Sequence, residues 1–243
     1  MSGHSKWSTI KRKKAKVDAQ RGKVFTRLAK EIILAARQGG KDPEGNVRLK
    51  TAIQKAKEAN IPNDNINRAI LKGAGELGSA NYEEFNYEGY GPGGVAVMLE
   101  IMTDNRNRVA GDIRHLFSKN GGSLGESGCV SWMFQEKGLI VIEKAQCSLD
   151  EDEVMLLALE AGAEDFKSDE ESYEITTAPD DYAAVVAALE PSGISLAYGE
   201  ITKIPLNTVQ LTGSEEEQML KLMDALEDHD DVQNVYSNFE MES

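Results

Sequence analysis

The chain is 243 residues long, with 40% hydrophobic residues, 28% charged residues and a formal net charge of −14, a composition typical of a folded protein. No stretch approaches the ~18 uninterrupted apolar residues of a membrane-spanning helix. Two cysteines, Cys129 and Cys147, are too few for a disulfide framework and lack metal-ligand spacing. These totals exclude a membrane-embedded protein and a disulfide-stabilised secreted domain, and they favour a cytoplasmic protein.

The charge is distributed unevenly along the chain. Residues 1–75 contain 18 Lys and Arg against 6 Asp and Glu, a net charge of +12, whereas residues 76–243 contain 9 against 35, a net charge of −26. A domain of the size of the basic part has a radius of gyration of ~11 Å, which exceeds the Debye length of about 8 Å in physiological salt. The asymmetry therefore predicts two parts that act on separate partners.

The first basic segment, GHSKWSTIKRKKAK (residues 3–16), combines six Lys or Arg with one Trp and no acidic residue. Residues 6–21 offer little to bury, which predicts an arm or a helix that forms fully on a partner. Clustered cations beside an aromatic ring favour phosphate neutralisation with base or sugar stacking. A solvated tail, a nuclear import signal and a mitochondrial presequence are the alternatives.

Three amphipathic helices are predicted next. The first spans residues 23–40 and ends at two glycines, the second follows DPEGN (residues 42–46), and the third starts after Pro62 and is again closed by glycines. Each places apolar residues on one face at helical spacing, with most of its Lys and Arg off that face. Three short helices with short loops predict a small N-terminal bundle.

From Tyr82 onward, strand and helix patterns alternate. Helices are predicted at residues 104–120, 150–162, 180–190 and 214–228, and strands at VAVMLEI, GCVSWMF, GLIVIEK, EDFKS, SYEITTA, SLAYGEITKI, NTVQLTG and VQNVYSNF. The middle block reads β-α-β-β-α-β, a ferredoxin-like pattern, and the β-α-β segments on either side of it can complete another domain.

The predicted fold class is therefore a multidomain α+β protein with an N-terminal three-helix bundle. Residues 1–80 form a basic helical domain with an N-terminal arm. Residues 81–136 and 205–243 together form a discontinuous α+β domain, and residues 137–204 form a ferredoxin-like α+β domain inserted into it.

Two glycine-rich segments invite comparison with phosphate-binding loops. In GYGPGG, Gly89, Gly91 and Gly94 match G-x-G-x-x-G, but they precede a strand instead of following one and opening a helix. A tight turn is therefore predicted. GGSLGESG (residues 121–128) lacks the Lys and Ser/Thr of a phosphate loop, so we predict a flexible connection, with contact between its backbone N–H groups and phosphate as the alternative.

A basic island interrupts the acidic part at NRNR (residues 105–108). The helix that begins there is predicted to be capped by Thr103 or Asp104. Arginine suits phosphate better than lysine does, so the arginines of this helix are predicted to supply a second contact to nucleic acid: Arg106, Arg108 and Arg114. Local ion pairs with acidic neighbours are the alternative, namely with Glu100, Asp104 and Asp112.

Catalytic chemistry has little support in the sequence. The histidines at positions 4, 115 and 229 lie in unrelated contexts, and there is no H-E-x-x-H motif, nucleophile elbow or paired-cysteine metal site. The acidic runs DEDE (residues 150–153) and SEEEQ (residues 214–218) fall where helices begin, which is typical of helix caps. The sequence predicts no enzyme activity, no metal and no cofactor.

Several short sequence motifs resemble those of the YebC family, also called YebC/PmpR, whose mitochondrial relatives are translational activators for cytochrome oxidase. They cover essentially the whole chain: the opening GHSKW, Ile10-Lys11, Lys14, Asp18, Arg21-Gly22-Lys23, Asp42-Pro43, DNI and RAI in the third helix, YEGYGPGG, TDNRNR, DIRHLFSKNGG and VQNVYSNF. Gly111, in the helix after NRNR, and Ser123, in place of the usual Asn, depart from the family pattern.

The resemblance implies a helical N-terminal bundle and two α+β domains, one inserted in the other. It also implies a cytoplasmic protein described as a probable transcriptional regulator that binds DNA. A second description in the family is a translation factor that acts at the ribosome and relieves stalls on sequences such as proline runs.

The residues and the resemblance together predict a non-enzymatic transcriptional regulator that binds DNA through its basic N-terminal domain. The alternatives are a ribosome-associated translation factor that binds ribosomal RNA, and an adaptor whose acidic domains dock a basic protein. The predicted nucleic-acid-binding residues are His4, Lys6, Trp7, Lys11, Arg12, Lys13, Lys14, Lys16, Arg21, Lys23, Arg27, Arg106, Arg108 and Arg114. His4 and Trp7 are expected to stack or hydrogen-bond, and the others to contact phosphates.

Overall fold

The structure is a computed structural model. It describes Trp7, residues 10–12, residues 21–78 and residues 81–241, and for Arg21 the backbone alone. Within these ranges the chain forms a helical part followed by mixed strands and helices in several sheets, which confirms the multidomain α+β fold class at that level. No helix among the described residues is both long and apolar enough to cross a membrane.

The elements follow one another along the chain with short connections. The N-terminal helices are α1 (Arg21–Gly39), α2 (Val47–Glu58) and α3 (Asn63–Gly73). The remaining elements are β1 (Glu83–Tyr90), β2 (Ala96–Thr103), α4 (Arg106–Lys119), β3 (Ser123–Leu124), β4 (Phe134–Glu143), α5 (Glu151–Glu160), β5 (Ala163–Ser168), β6 (Ser172–Thr177), α6 (Tyr182–Leu189), β7 (Tyr198–Pro205), β8 (Val209–Leu211), α7 (Gly213–Asp228), β9 (Val232–Ser237) and β10 (Phe239–Met241).

The three N-terminal helices share one apolar core, as their amphipathic patterns predict. Ile32 of α1, Leu49 of α2 and Ile66 of α3 are all buried in it. The turn from α1 to α2 is fixed by Asn46, whose side chain accepts a hydrogen bond from the N–H of Leu49 at 3.0 Å and so caps α2.

Helix α3 packs very closely on α1 at Gly73. A β-carbon at this position would lie 2.8 Å from Cβ of Ala36 and closer still to the backbone carbonyl oxygen of Ile33. We expect Gly73→Ala to lower the free energy of unfolding by about 1–3 kcal/mol, the usual cost of overpacking. Gly111→Ala, at an exposed helical position with nothing within 4 Å of the added carbon, is the control and should raise stability by up to about 1 kcal/mol. Urea denaturation measures both, and unchanged stability of Gly73→Ala would contradict the packing argument.

The first sheet has the strand order β3-β1-β2-β9, and all its neighbouring strands are antiparallel. Helices α4 and α7 pack on it through a core that includes Leu99, Ile113 and Leu222. A separate parallel pair is formed by β8 and β10. Strand β1 was not predicted, because EEFNYEGY has few apolar residues; it is held by pairing with β2 along its whole length, from Glu83 opposite Thr103 onward.

The second sheet is built from residues 134–205, in the order β5-β6-β4-β7, again with antiparallel neighbours. Helices α5 and α6 cover one face and share a core with Ile140 and Ile142. Because side chains alternate across a strand, Leu139 and Val141 point to the opposite face.

Local predictions around the turns and caps have mixed outcomes. The tight turn predicted in GYGPGG is confirmed and joins β1 to β2, with positive φ at Gly93 and Gly94. The strand predicted in GCVSWMF is wrong, because residues 131–133 form a 3-10 turn and β4 begins only at Phe134.

The helix caps that sequence analysis singled out also differ in outcome. The SEEEQ run supplies no side-chain cap, because α7 begins at Gly213 after Thr212, and two acidic residues of the run lie in its first turn. The cap predicted for α4 is wrong: Asn105, and neither Thr103 nor Asp104, accepts a hydrogen bond from the N–H of Arg108 at 3.0 Å. The hydroxyl of Thr103 instead points to a buried carboxylate described below. In the DEDE run, Asp150 opens α5 with a capping box, as the acidic pattern predicts.

Candidate nucleic-acid interface

The described part of the N-terminal segment lies against the second sheet. Trp7 is only 6% exposed and packs on Leu139 and Val141, on the face that α5 and α6 leave uncovered. Lys11 is exposed, with its Nζ 3.6 Å from a carboxylate oxygen of Glu171. In this arrangement Trp7 anchors the segment through apolar contact, so base stacking by its ring requires the segment to leave the sheet.

Several predicted phosphate contacts lie outside the described residues. These are His4, Lys6, Lys13, Lys14 and Lys16, together with the side chain of Arg21. Their assignment stays a prediction from the sequence.

Three other predicted phosphate contacts bind the C-terminal part of α7. The contacts are Arg12 with the carboxylate of Asp224 (2.5 Å), Lys23 with the carbonyl oxygen of Asp228 (2.8 Å), and Arg27 with the carbonyl oxygen of Glu227. The last carbonyl groups of a helix have no partner inside it and carry the negative end of the helix dipole. Cations at this end are therefore stabilising, and they tie the N-terminal helices to α7.

The guanidinium of Arg27 is the most enclosed of these three cations. Its burial lowers the pKa, even though the carboxylates of Glu227, Asp228 and Asp230 act in the opposite direction. An arginine remains charged at neutral pH in spite of such a shift. The positive charge is thus held inside the contact with α7.

A buried ion pair that sequence analysis missed lies beside this contact. Lys30, which the helical pattern places off the apolar face, is only 7% exposed. Its Nζ lies 2.6 Å from Oδ1 of Asp231 and donates to the carbonyl of Asp230 at 2.8 Å. No local sequence signal connects two residues 201 positions apart, so only the tertiary structure reveals the pair.

The carboxylate of Asp231 collects further donors from the first sheet and α4. Arg108 donates to Oδ2 at 2.7 Å, and the hydroxyl of Thr103 donates to the same oxygen at 3.1 Å. Burial by itself would raise the pKa of Asp231, but the hydrogen bonds from Lys30 and Arg108 outweigh it, and the pKa lies below its ordinary value. Arg108 also contacts Asp104 at 3.4 Å, one of the three local partners that the ion-pair alternative names, whereas sequence analysis did not name Asp231.

The other two arginines of α4 differ from each other. The guanidinium of Arg106 lies 4.3 Å from the ring centre of Phe85 and 3.9 Å from a carboxylate oxygen of Glu83. Arg114 is exposed and makes no hydrogen bond or ion pair to any residue that the structure describes. Its head group is therefore available to an external anion.

The glycine-rich connection after α4 is bound to an internal anion. The backbone N–H groups of Gly128, Val130 and Ser131 donate to the carboxylate of Glu88 at 2.7–2.8 Å. Burial would raise the pKa of Glu88, but these hydrogen bonds outweigh it and lower the pKa. Of the N–H groups considered for phosphate, that of Gly128 thus binds a buried carboxylate, and the connection is anchored at this end.

A cavity of about 1090 Å³ lies between the helical part and the two sheets. Charged side chains on its wall form ion pairs with one another: Arg48 with Glu31 and Glu84, Lys55 with Glu200, and Lys203 with Glu100. These pairs cancel charge locally, so the cavity does not add to the cationic surface. Among the described residues, no group of three or more His, Cys, Asp or Glu could hold a metal ion.

Family models match nearly the whole chain. "TACO1/YebC protein N-terminal domain" matches residues 5–76, and "TACO1/YebC second and third domain" matches residues 82–239. The chain belongs to the TACO1/YebC family. The resemblance found in the short sequence motifs is thereby confirmed. The boundary between the two matched regions falls between α3 and β1 of this family member.

Relatives of this family member are similar over their full length. Proteins named "Probable transcriptional regulatory protein" from Pelotomaculum thermopropionicum and Desulforamulus reducens are 72% and 62% identical over 242 residues, covering 100% of both chains in each case. A solved structure of a conserved hypothetical protein from Aquifex aeolicus is 50% identical, covers 94% of each chain and has a TM-score of 0.80. Family membership thus extends to the tertiary fold.

Proposed function

We propose that this protein is a non-enzymatic regulator of gene expression that binds DNA through its basic N-terminal domain and acts in the cytoplasm. The observation that carries the proposal is the excess of +12 within residues 1–75 of an otherwise acidic chain. Phosphate neutralisation by clustered Lys and Arg supplies most of the affinity of such proteins. The names of the full-length relatives from two bacteria support the same function.

The proposed interface begins at the arm and continues over the helical domain. Arg68 and Lys72 lie one turn apart on α3, both exposed and without a hydrogen bond or ion pair among the described residues. Residues four apart share a helix face, so the two cations extend the positive surface beyond the arm. Arg114 of α4 is proposed as a contact from the neighbouring domain.

The domain organisation proposed with this function places most of the nucleic-acid interface on the helical domain. Residues 137–204 are proposed to form an inserted ferredoxin-like domain, within a discontinuous domain of residues 81–136 and 205–243. The strand order β5-β6-β4-β7 with antiparallel neighbours supports this division, because it is the order of a split β-α-β motif. Strand β9, which returns to the first sheet beside β2, supports the discontinuity.

A second candidate function is a translation factor that binds ribosomal RNA. An exposed aromatic side chain favours it: Trp132 is 67% exposed, and its Nε1 donates to the carbonyl of Cys129 at 3.1 Å, which fixes the ring. Unpaired RNA bases stack on such rings, whereas duplex bases are not available for stacking. Tighter binding to a ribosomal RNA hairpin than to a DNA duplex would favour this candidate.

The adaptor alternative has a separate surface in its favour. Leu156 and Leu159 of α5 are 57% and 45% exposed on a helix whose first turn is acidic. An apolar patch with an acidic rim fits a basic protein. This alternative predicts that loss of the arm leaves the regulatory effect unchanged.

The test of the proposed function removes charge from the arm. We expect Lys13→Gln, Lys14→Gln and Lys16→Gln together to weaken binding to a short DNA duplex about tenfold or more. The slope of log affinity against log salt, about −4 to −5 when five phosphates are neutralised, should become shallower by about 0.9 for each phosphate that the variant no longer neutralises. Fluorescence anisotropy between about 50 and 200 mM salt measures both quantities.

The matched control removes three charges from the same domain outside the arm. Lys41→Gln, Lys50→Gln and Lys57→Gln change residues that are exposed, two of them paired with Glu76 and Glu44. This variant should keep the wild-type salt slope. An arm variant that binds DNA and ribosomal RNA as tightly as this control would refute the proposed function.

A further inference from the structure

Several of the cations predicted to bind phosphate already bind acceptor groups of α7 within the same protein. Four basic side chains in order along the chain, Arg12, Lys23, Arg27 and Lys30, all contact residues 220–231, in the C-terminal half of α7 and just beyond it. Their acceptors are backbone carbonyls and carboxylates. A phosphate oxygen is an acceptor of the same kind, so the two ligands compete for the same N–H groups.

These contacts differ in solvent exposure, and therefore in how easily a phosphate group can replace the protein acceptor. The side chains of Lys30 and Asp231 are 9% and 6% exposed, whereas those of Arg12 and Lys23 are 33% and 38% exposed. Exposed ion pairs are weak and screened by salt, while breaking a buried pair leaves an uncompensated charge. The outer contacts can therefore open while the buried pair stays closed.

We propose that the C-terminal half of α7 is an intramolecular competitor that covers Arg12 and Lys23 in the free protein, and that nucleic acid displaces it. The inference rests on the proposed function, since it assigns a regulation to the same nucleic-acid site. The buried pair between Lys30 and Asp231 acts as the pivot that keeps α1 on α7 in both states. The free protein thus presents only part of its cationic surface to nucleic acid.

The competitor is weakened by removing its two outer carboxylates. Asp224→Asn with Asp228→Asn leaves the helix backbone, Asp231 and every cation in place. We expect the double variant to bind a short DNA duplex about three- to tenfold more tightly than the wild type at about 100 mM salt, because two exposed ion pairs no longer oppose binding.

The control separates this local effect from a general decrease in negative charge. Glu215→Gln with Glu217→Gln removes the same charge from exposed positions of the first two turns of α7. At 1.5 Å per residue the midpoints of the two pairs of sites are ~15 Å apart along the helix, which exceeds the Debye length of about 10 Å in 0.1 M salt. The control should bind as the wild type does, and equal affinity of the two double variants would overturn the inference.

A second measurement does not depend on the variants. Amide hydrogen exchange of residues 222–228 in the wild-type protein should become faster when a saturating DNA duplex is added, since the last turn of α7 is then no longer capped by these cations. Unchanged or slower exchange there would overturn the inference while leaving the proposed function intact. Absence of binding by the wild type and by both double variants would instead refute the proposed function and, with it, the inference.

Discussion

Asp231→Ala is expected to destabilise the protein by about 3–5 kcal/mol, because it leaves the ammonium group of Lys30 buried without its carboxylate. The two side chains are 9% and 6% exposed and lie 2.6 Å apart, so water cannot replace the missing partner. Arg108 and Thr103 are deprived of an acceptor at the same time. Urea denaturation, followed by circular dichroism and by the fluorescence of Trp7 in a Trp132→Phe background, measures the change.

Two variants test whether the buried charge is the cause. Asp230→Ala, at the exposed neighbour that contacts Lys30 through its backbone carbonyl, should change stability by less than about 0.5 kcal/mol. Lys30→Met combined with Asp231→Asn removes both charges and should recover most of the stability, since apolar replacement of a buried pair is often neutral. A double variant as unstable as Asp231→Ala would assign the effect to packing.

The same pair makes stability depend on pH in a defined direction. Because the pKa of Asp231 is lowered in the folded protein, its contribution is fully present above the ordinary Asp pKa of ~3.9. It is lost as the pH falls through the lower folded value. Wild type should therefore lose more stability than the double variant when the pH is lowered from neutral to acid.

The elements that sequence analysis predicted correctly are those with strong local periodicity. Helices α1, α2 and α3 follow from apolar residues at helical spacing and from glycines at their ends. The strand and helix alternation after Tyr82 gave the right fold class for the same reason. Strand β1 was not predicted because EEFNYEGY lacks a regular spacing of apolar residues. Its pairing with β2 is fixed by the turn at Gly93 and Gly94.

The candidate site was harder to predict because a sequence gives the sign of a charge but no partner. Lys23, Arg27 and Lys30 appear as one solvated basic face, yet each contacts residues about 200 positions away. Trp7 likewise has no local feature that distinguishes a stacking ring from one packed on a sheet. Such contacts depend on how domains meet, and single-sequence patterns do not encode that arrangement.

Glu88→Ala is expected to destabilise the protein by about 3 kcal/mol and to release the connection before β4. The carboxylate accepts from the N–H groups of Gly128, Val130 and Ser131 at 2.7–2.8 Å, and each buried donor without an acceptor costs about 1–3 kcal/mol. Trp132 directly follows this group of donors, so in a Trp7→Phe background its fluorescence reports on the connection.

The control for Glu88 is an exposed acid of the same connection. Glu126→Ala removes one negative charge without removing an acceptor of the three N–H groups, and it should leave both stability and Trp132 fluorescence unchanged. Because the pKa of Glu88 is lowered in the folded protein, its contribution is present above the ordinary Glu pKa of ~4.3 and disappears as the pH falls through the folded value. If Glu88→Ala unfolds at the same urea concentration as Glu126→Ala at neutral pH, the three hydrogen bonds do not hold the connection in place.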